Sequence, residues 1–279
     1  MKTVVKALLL AGAVLAALGT LASCRYGLGE VFGRPSPVDE RVVDASAVVP
    51  PDPVVADDEN YVFVMVSDTH FLAGENPAGA AGLAAFLALR GAEFVVVGGD
   101  LADAGLPDEY AQYDAWADSL GVPVFAVVGN HDLYNGGWST FSAIVGASYY
   151  SFDVGARTFY FLDSGSGTLG RDQIAMLREE FAEDSDPKVI VTHYPLYDGS
   201  DSFYYKITNT AERAALVDLY ARNGVELLLE GHTHALNHTP IGAMDEWVCP
   251  SLPGPAGGGR CLTVTVSGGA IASVTPETY

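Results

Sequence analysis

Five short β-branched runs, each broken off by an abrupt polar cluster, constrain this chain more than any other feature. Tyr61-Val62-Phe63-Val64-Met65-Val66 leads into Ser67-Asp68-Thr69-His70, Phe94-Val95-Val96-Val97 into Gly98-Gly99-Asp100, and Val124-Phe125-Ala126-Val127-Val128 into Gly129-Asn130-His131-Asp132. Later, Val189-Ile190-Val191 ends at Thr192-His193, and Leu227-Leu228-Leu229 ends at Glu230-Gly231-His232-Thr233-His234. Runs that are apolar at nearly every position read as strands buried on both faces. Amphipathic stretches at about Ala78 to Arg90, Pro107 to Leu120, Arg171 to Ala182 and Thr210 to Asn223 predict helices between them. Repeating βα units are the economical arrangement. Two further stretches pattern as hairpins: Tyr149 to Asp153 with Arg157 to Leu162, and Cys261 to Val266 with Ala270 to Val274 across Ser267-Gly268-Gly269. Their turns carry Gly where a hairpin needs positive φ. The expected fold is α/β, with two packed mixed β-sheets flanked by helices in a four-layer αββα sandwich.

Asp68, His70, Asp100, Asn130, His131, His193, His232 and His234 all fall just past the last apolar residue of a predicted strand. Ligands bind at the carboxyl ends of strands in open α/β sheets. Five of the six histidines lie there, which scattered surface histidines would not do. Imidazoles, carboxylates and one amide form a mixed N/O donor set suited to divalent Mn, Fe, Zn, Ni or Co. Seven candidate ligands exceed what a single centre with an open position uses, so two divalent metal ions sharing a carboxylate are expected.

Taken in order, Asp68-Thr69-His70, Gly99-Asp100-Leu101-Ala102-Asp103, Gly129-Asn130-His131-Asp132, His193 and Gly231-His232-Thr233-His234 resemble the DxH, GDxxD, GNHD, lone His and GHxH blocks of the calcineurin-like metallophosphoesterases. The resemblance spans Tyr61 to Ala235 by motif. It implies one ion held by Asp68, His70, Asp100 and His234, a second by Asp100, Asn130, His193 and His232, and hydroxide attack on phosphorus. It further implies that His131 protonates the leaving oxygen, with the Asp103 carboxylate as its partner, and that Asn130 and His131 touch substrate. Asp132 is expected to order its loop as a hydrogen-bond acceptor. Ala104 stands where the protein Ser/Thr phosphatase branch has Arg, and His70 and Asp103 depart from the purple acid phosphatase pattern. GDLADAG, VPVFAVVGNHD and THYPLY are most similar to the cyclic-nucleotide phosphodiesterase and general phosphohydrolase branch. Near the motifs, Tyr194 is the chosen substrate contact, and Tyr134, Asn135, Trp138, Tyr197, Phe203, Tyr204 and Tyr205 are further candidates to stack a base or line a leaving-group site. Lys206 is a candidate for substrate phosphate.

A basic head from Met1 to Lys6 and an apolar run from Ala7 to Leu18 read as a secretory signal. An N-terminal membrane anchor is the alternative, though the run is shorter than the ~20 residues a span needs. Leu21-Ala22-Ser23-Cys24 resembles a bacterial lipobox, which implies cleavage before a lipidated Cys24. The expected organisation is a signal peptide over 1–23, a lipidated Cys and Pro-rich tether over 24–59, and a metallophosphoesterase domain over 60–279. Part of the tether could equally lie along that domain. The mature protein is then expected on a lipid-anchored, extracytoplasmic membrane surface of the bacterial cell envelope. In that oxidising setting Cys249 and Cys261 are expected to form a disulfide, with two buried free thiols as the alternative.

With 35 acidic against 14 basic side chains, the formal charge is -21, which excludes long nucleic acid as a partner. The expected substrate is a small phosphomonoester or phosphodiester, possibly a nucleotide. The membrane, through the N-terminal lipid, is the other partner, and no protein partner can be inferred. The competing class is a catalytically idle lipoprotein that uses the same scaffold for surface binding or adhesion. Lost ligands would mark it, and every ligand position is filled.

Overall fold

A computed structural model describes residues 36–199 and 205–279. The expected signal peptide and Cys24, together with Phe203 and Tyr204, lie outside the described residues. The chain passes through β1 (Tyr61–Val66), β2 (Phe94–Val97) and β3 (Val124–Ala126). It crosses to β4 (Tyr150–Val154), β5 (Arg157–Phe161), β6 (Lys188–Val191), β7 (Val225–Glu230), β8 (Asn237–Ile241) and β9 (Met244–Val248), then returns with β10 (Arg260–Ser267) and β11 (Ala270–Thr278). One sheet has the order β11-β10-β1-β2-β3 and the other β4-β5-β6-β7-β9-β8. Both are mixed: β1-β2-β3 and β5-β6-β7-β9 run parallel, and antiparallel strands flank them.

Alternation along β1 explains why two sheets and two helical layers are needed. Val64 and Val66 face one core and Phe63 and Met65 the other, so neither face of the strand can be left to solvent. The helices are α1 (Pro37–Val42), α2 (Leu83–Arg90), α3 (Pro107–Ser119), α4 (Trp138–Ile144), α5 (Arg171–Glu183) and α6 (Thr210–Arg222). Leu83, Phe86 and Leu87 of α2 and Tyr110, Tyr113 and Trp116 of α3 cover the outer face of the first sheet. Leu177 and Phe181 of α5 and Leu216 and Tyr220 of α6 cover that of the second. Between the sheets Phe63 stacks on Phe94 at 4.9 Å, and Phe94 meets Phe159 edge-on at 5.7 Å. Such pairs contribute about 0.5–1.5 kcal/mol each beyond the area they bury. The result is the expected αββα sandwich. Among the described residues no helix is long and apolar enough to cross a membrane.

One open alternative is decided and one expectation changes. From Ser36 onward the Pro-rich segment lies along the body, as the second of the two readings had it. Ser36 and Asp39 form a capping box that starts α1, and the buried Arg41 pairs with the buried Asp163. Farther on, Ala147 N–H donates to Val48 O (2.9 Å) and Trp138 Nε1–H to the Asp44 carboxylate (3.0 Å). The expected Cys249–Cys261 disulfide is absent: both thiols are free and buried. Cys261 sits in the core beneath α2 and α3, whereas Cys249 sits in the core between the sheets, so the two face different layers.

Two neighbouring buried carboxyls, Glu230 at the end of β7 and Glu246 in β9, hold the chain that follows β6. Glu230 accepts from Leu196 N–H (3.3 Å) and Glu246 from Tyr197 N–H (2.5 Å). Burial, and for Glu230 the adjacent Glu246 charge, pushes both carboxyls up, Glu246 to about 7. Because the folded state holds the proton more tightly, this stabilisation is complete below the ordinary value of 4.5 and is lost as pH rises through about 7. Glu246→Gln keeps an acceptor for Tyr197 and supplies a donor to Glu230. We expect it to raise the unfolding temperature at pH 8 and to leave it nearly unchanged at pH 5. An equal shift at both pH values would show that the pair does not share a proton.

Candidate metal centre

The strands end at one edge of the sandwich, and the backbone there is unusual. Seven non-glycine residues among the described ones have positive φ, and five are Asp68 (50°), His70 (47°), Asp100 (53°), His232 (70°) and His234 (58°). Left-handed backbone at non-glycine residues costs on the order of 1–3 kcal/mol each and survives where the surroundings over-determine it, often at functional sites. Here the segments after β1 and β2 stay paired, with Asp68 N–H donating to Gly99 O and His70 N–H to Asp100 O, both at 3.0 Å. Glycine permits the neighbouring loops to close in. A Cβ on Gly129 would overlap the Asp100 carboxylate, and one on Gly231 would overlap Ser67 Oγ.

These loops bring together the groups singled out in the sequence. Asp68, His70, Asp100 and His234 form one cluster, with His70 Nε2 and His234 Nε2 3.1 Å apart and His234 Nε2 3.3 Å from Asp68 Oδ1. Asp100, His193 and His232 form another, with His193 Nε2 3.4 Å from Asp100 Oδ2 and 3.2 Å from His232 Nδ1. Asn130 joins it, its Oδ1 being 3.1 Å from His193 Nε2. Asp100 is common to both.

The donor set fits a metal cation. Gly98 O can only accept, so His193 Nδ1, 2.7 Å away, carries a proton and donates it there. The Asn130 amide is oriented by its Nδ2 contact to Tyr134 Oη at 3.3 Å, which leaves Oδ1 facing His193. His193 Nε2 therefore confronts an amide oxygen, a carboxylate oxygen and a second imidazole, which become mutually compatible around a cation or a proton. Burial alone would lower His193, but the Asp100 and Asp68 charges push it up to about 9. Burial would likewise raise Asp100, yet the charge and hydrogen bond of His193 hold it well below the usual carboxylate range. Burial pushes His70 down, while the hydrogen bond to Asp68 pushes His234 up.

Around this cluster the structure adds groups that sequence reasoning missed. Ser67 Oγ–H donates to Asp68 Oδ2 at 2.6 Å, and Ser164 Oγ accepts from both His193 N–H (2.9 Å) and Tyr194 N–H (2.8 Å). Ser67 adjoins the first motif, which marks its place; Ser164 follows β5, where no ligand pattern marks it. Asp132 orders its loop as expected. Its carboxylate accepts from Leu101 N–H, Ala102 N–H and Gly129 N–H at 2.8–3.1 Å, and from the Tyr110 hydroxyl.

The expected Asp103 carboxylate to His131 pair is not formed. His131 Nδ1–H donates instead to the main-chain oxygen of Asp103 (2.6 Å), and the carboxylate lies 3.3 Å from His70 Nδ1. The His131 ring stands edge-on to His70 at 4.6 Å, which brings its Nδ1 to the rigid carbonyl while the half-exposed carboxylate turns to the neighbouring ring.

Aromatic rings touch the cluster at two places. Tyr194 lies over His232 with centroids 3.9 Å apart, and the half-exposed Tyr134 lies 4.7 Å from His131. Tyr205 is 6.1 Å from His232. Trp138 packs on Phe141 instead, and Asn135 Nδ2–H is used on Ala104 O (2.9 Å). Lys206, the candidate for substrate phosphate, is buried and paired with Asp198 at 3.1 Å.

Residues 61–236 match the family described as calcineurin-like phosphoesterase. A probable cyclic nucleotide phosphodiesterase of Fibrobacter succinogenes is 27% identical over 170 residues, covering 58% of this chain and 66% of that protein. A second protein of that description, from Synechococcus, is 30% identical over 111 residues, covering 38% of this chain and 44% of the other. The alignments thus span just under two thirds and under half of the two relatives. Among solved structures, a dimetal phosphatase from Danio rerio superposes with a TM-score of 0.57 at 14% identity, covering 77% of this chain and 94% of that one. At that identity the likeness speaks to the fold alone.

Proposed function

This chain belongs to the calcineurin-like phosphoesterase family of metal-dependent phosphoester hydrolases, and from that premise we propose that it cleaves small phosphodiesters of nucleotide type at the outer face of a bacterial membrane. The observation that carries the reading is the convergence of Asp68, His70, Asp100, Asn130, His193, His232 and His234 on one edge of the sandwich, with Asp100 common to both clusters. In this reading Asp68, His70, Asp100 and His234 hold one divalent cation, and Asp100, Asn130, His193 and His232 hold a second. Bound there, the cations supply Lewis acidity, activate water and neutralise charge on the phosphoryl oxygens.

The chain's own groups do the rest. With Nδ1–H fixed on Asp103 O, His131 presents Nε2 as the atom that donates a proton to the departing oxygen. Asp132 keeps the Asp100 and Asn130 loops in register. Tyr194 and Tyr134, whose rings border His232 and His131, offer apolar faces against which a base or leaving group can stack. The charge of -21 favours a small ester over a polyanion, and the names of the curated relatives favour a diester. The surface location is supported by the basic head, apolar run and Cys24 of the sequence.

Purified protein loaded with Mn is expected to hydrolyse bis-p-nitrophenyl phosphate faster than p-nitrophenyl phosphate, to lose activity in EDTA, and to recover it on adding Mn. A monoester preference, or activity indifferent to EDTA, would refute the assignment. In cells grown with labelled palmitate, the full-length chain is expected to take up the label and Cys24→Ala to take up none. An unlabelled parent chain would remove the lipid anchor.

A further inference from the structure

The turn after β5, Asp163-Ser164-Gly165-Ser166-Gly167, carries no candidate ligand, yet it abuts two of the loops that do. The Ser164 hydroxyl accepts the main-chain N–H of both His193 and Tyr194. Gly165 packs so closely that an added Cβ would come within 3.0 Å of Gly129 O, next to Asn130. What holds this turn comes from far away in sequence. Arg41 of α1 grips the Asp163 carboxylate at two points, Nε to Oδ2 at 2.7 Å and Nη2 to Oδ1 at 2.9 Å, and reaches Ser166 Oγ at 3.1 Å. Both Arg41 and Asp163 are buried. The peptide groups on either side of Asp163 are also clamped, because Gln173 accepts from its N–H and donates to its carbonyl, each at 2.8 Å.

Helix α1 is itself seated rather than resting on the surface. Asp39 accepts from Asp172 N–H (2.8 Å), providing the N-terminus of α5 with the cap that its own Gly170 lacks. A Cβ on Gly170 would press on that carboxylate at 2.6 Å.

A buried ion pair is a poor device for stability alone, since well-packed apolar side chains often do as well. A planar two-point grip is, however, a good device for fixing the orientation of a turn, and lysine cannot reproduce it. We propose that Arg41 is a positioning residue for the metal centre: through Asp163 it fixes the turn whose Ser164 hydroxyl sets the backbone of His193 and Tyr194. The segment before β1 is then part of the centre's support as well as the link to the chain's N-terminus.

This rests on His193 holding a cation, so the test measures metal binding directly. Full-length protein is stripped with EDTA, dialysed and titrated calorimetrically with Mn, well below its unfolding temperature. Arg41→Met combined with Asp163→Asn removes both charges without leaving either one buried alone. Arg41→Lys keeps the charge and loses the fork, and it serves should the double variant not fold. Both are expected to bind Mn about 10–100-fold more weakly than the parent, as loss of a ligand's outer support does. Parental Mn affinity in Arg41→Lys, or in a folded double variant, would overturn the role of Arg41. His193→Ala is run alongside. Weakened binding there with parental affinity in the Arg41 variants isolates the failure to Arg41, whereas parental binding in His193→Ala removes the cation from His193 and this role with it.

Discussion

Asp100→Asn is expected to strip the protein of bound metal and lower turnover by more than about 10³-fold, because one change removes the negative charge common to both clusters. Asn matches Asp in shape and retains an oxygen for His131 N–H, which Asp100 Oδ1 accepts at 2.8 Å. The fold should therefore survive. It should even be relieved of one repulsion, since burial and then the charge of Asp100 push the Asp132 carboxyl up to about 7. The variant also relieves His193 of the charge that chiefly opposes its desolvation, so less proton will compete with metal for that ring. Loss of metal despite this weaker competition would locate the effect in the missing carboxylate. The measurement is metal content by elemental analysis on protein whose circular dichroism matches the parent, followed by turnover in excess Mn. Parental metal content and turnover in such a protein would end the reading of a shared carboxylate.

The ligand positions were legible because they obey a rule about strands rather than about loops. A run such as Phe94–Val97 is apolar on both faces, so it is central, and its polar follower Asp100 can only emerge at the sheet edge. Several such runs in parallel bring their followers to the same edge, whatever the connections do. Strands β1, β2, β3 and β11 and the helices from Pro107, Arg171 and Thr210 accordingly begin where the pattern places them.

What the pattern concealed depends on contacts distant in sequence or on main-chain atoms. Helix α1 is six residues beginning on Pro37, too short to register as a periodic element, and its anchor Asp163 is 122 positions from Arg41. The β8–β9 hairpin escaped because Asn237, His238, Thr239 and Pro240 show no apolar alternation. An edge strand tolerates that composition, Pro included. His238 there stacks on Trp247 at 4.1 Å and bonds Asp245 at 2.7 Å, away from the metal-ligand groups. Cysteine spacing carries no information on which core a thiol faces, and so the disulfide was misjudged. Asp103 was misjudged for a related reason: a motif specifies that two residues adjoin, not whether side chain or carbonyl makes the bond.

That last distinction shapes the second large effect. His131→Ala is expected to leave metal content unchanged while lowering turnover about 10²–10⁴-fold, the range of a lost proton donor. His131 touches Asp103 O, His70 and Tyr134 through its ring, and its own N–H on Asp100 is a main-chain bond that alanine keeps. The loss should depend on the leaving group. An ester whose leaving oxygen needs a proton, such as an alkyl or ribosyl ester, should suffer far more than p-nitrophenolate, which departs as an anion unaided. Because the carbonyl rather than the carboxylate of Asp103 holds the ring, Asp103→Asn should cost much less than His131→Ala, and its effect should appear through His70 as weakened metal binding. Turnover of p-nitrophenyl and alkyl diesters by the two variants, beside their metal content, decides the matter. A uniform loss across leaving groups in His131→Ala would remove proton donation from its role, and an Asp103→Asn defect as deep as that of His131→Ala, with metal intact, would restore the carboxylate as its partner.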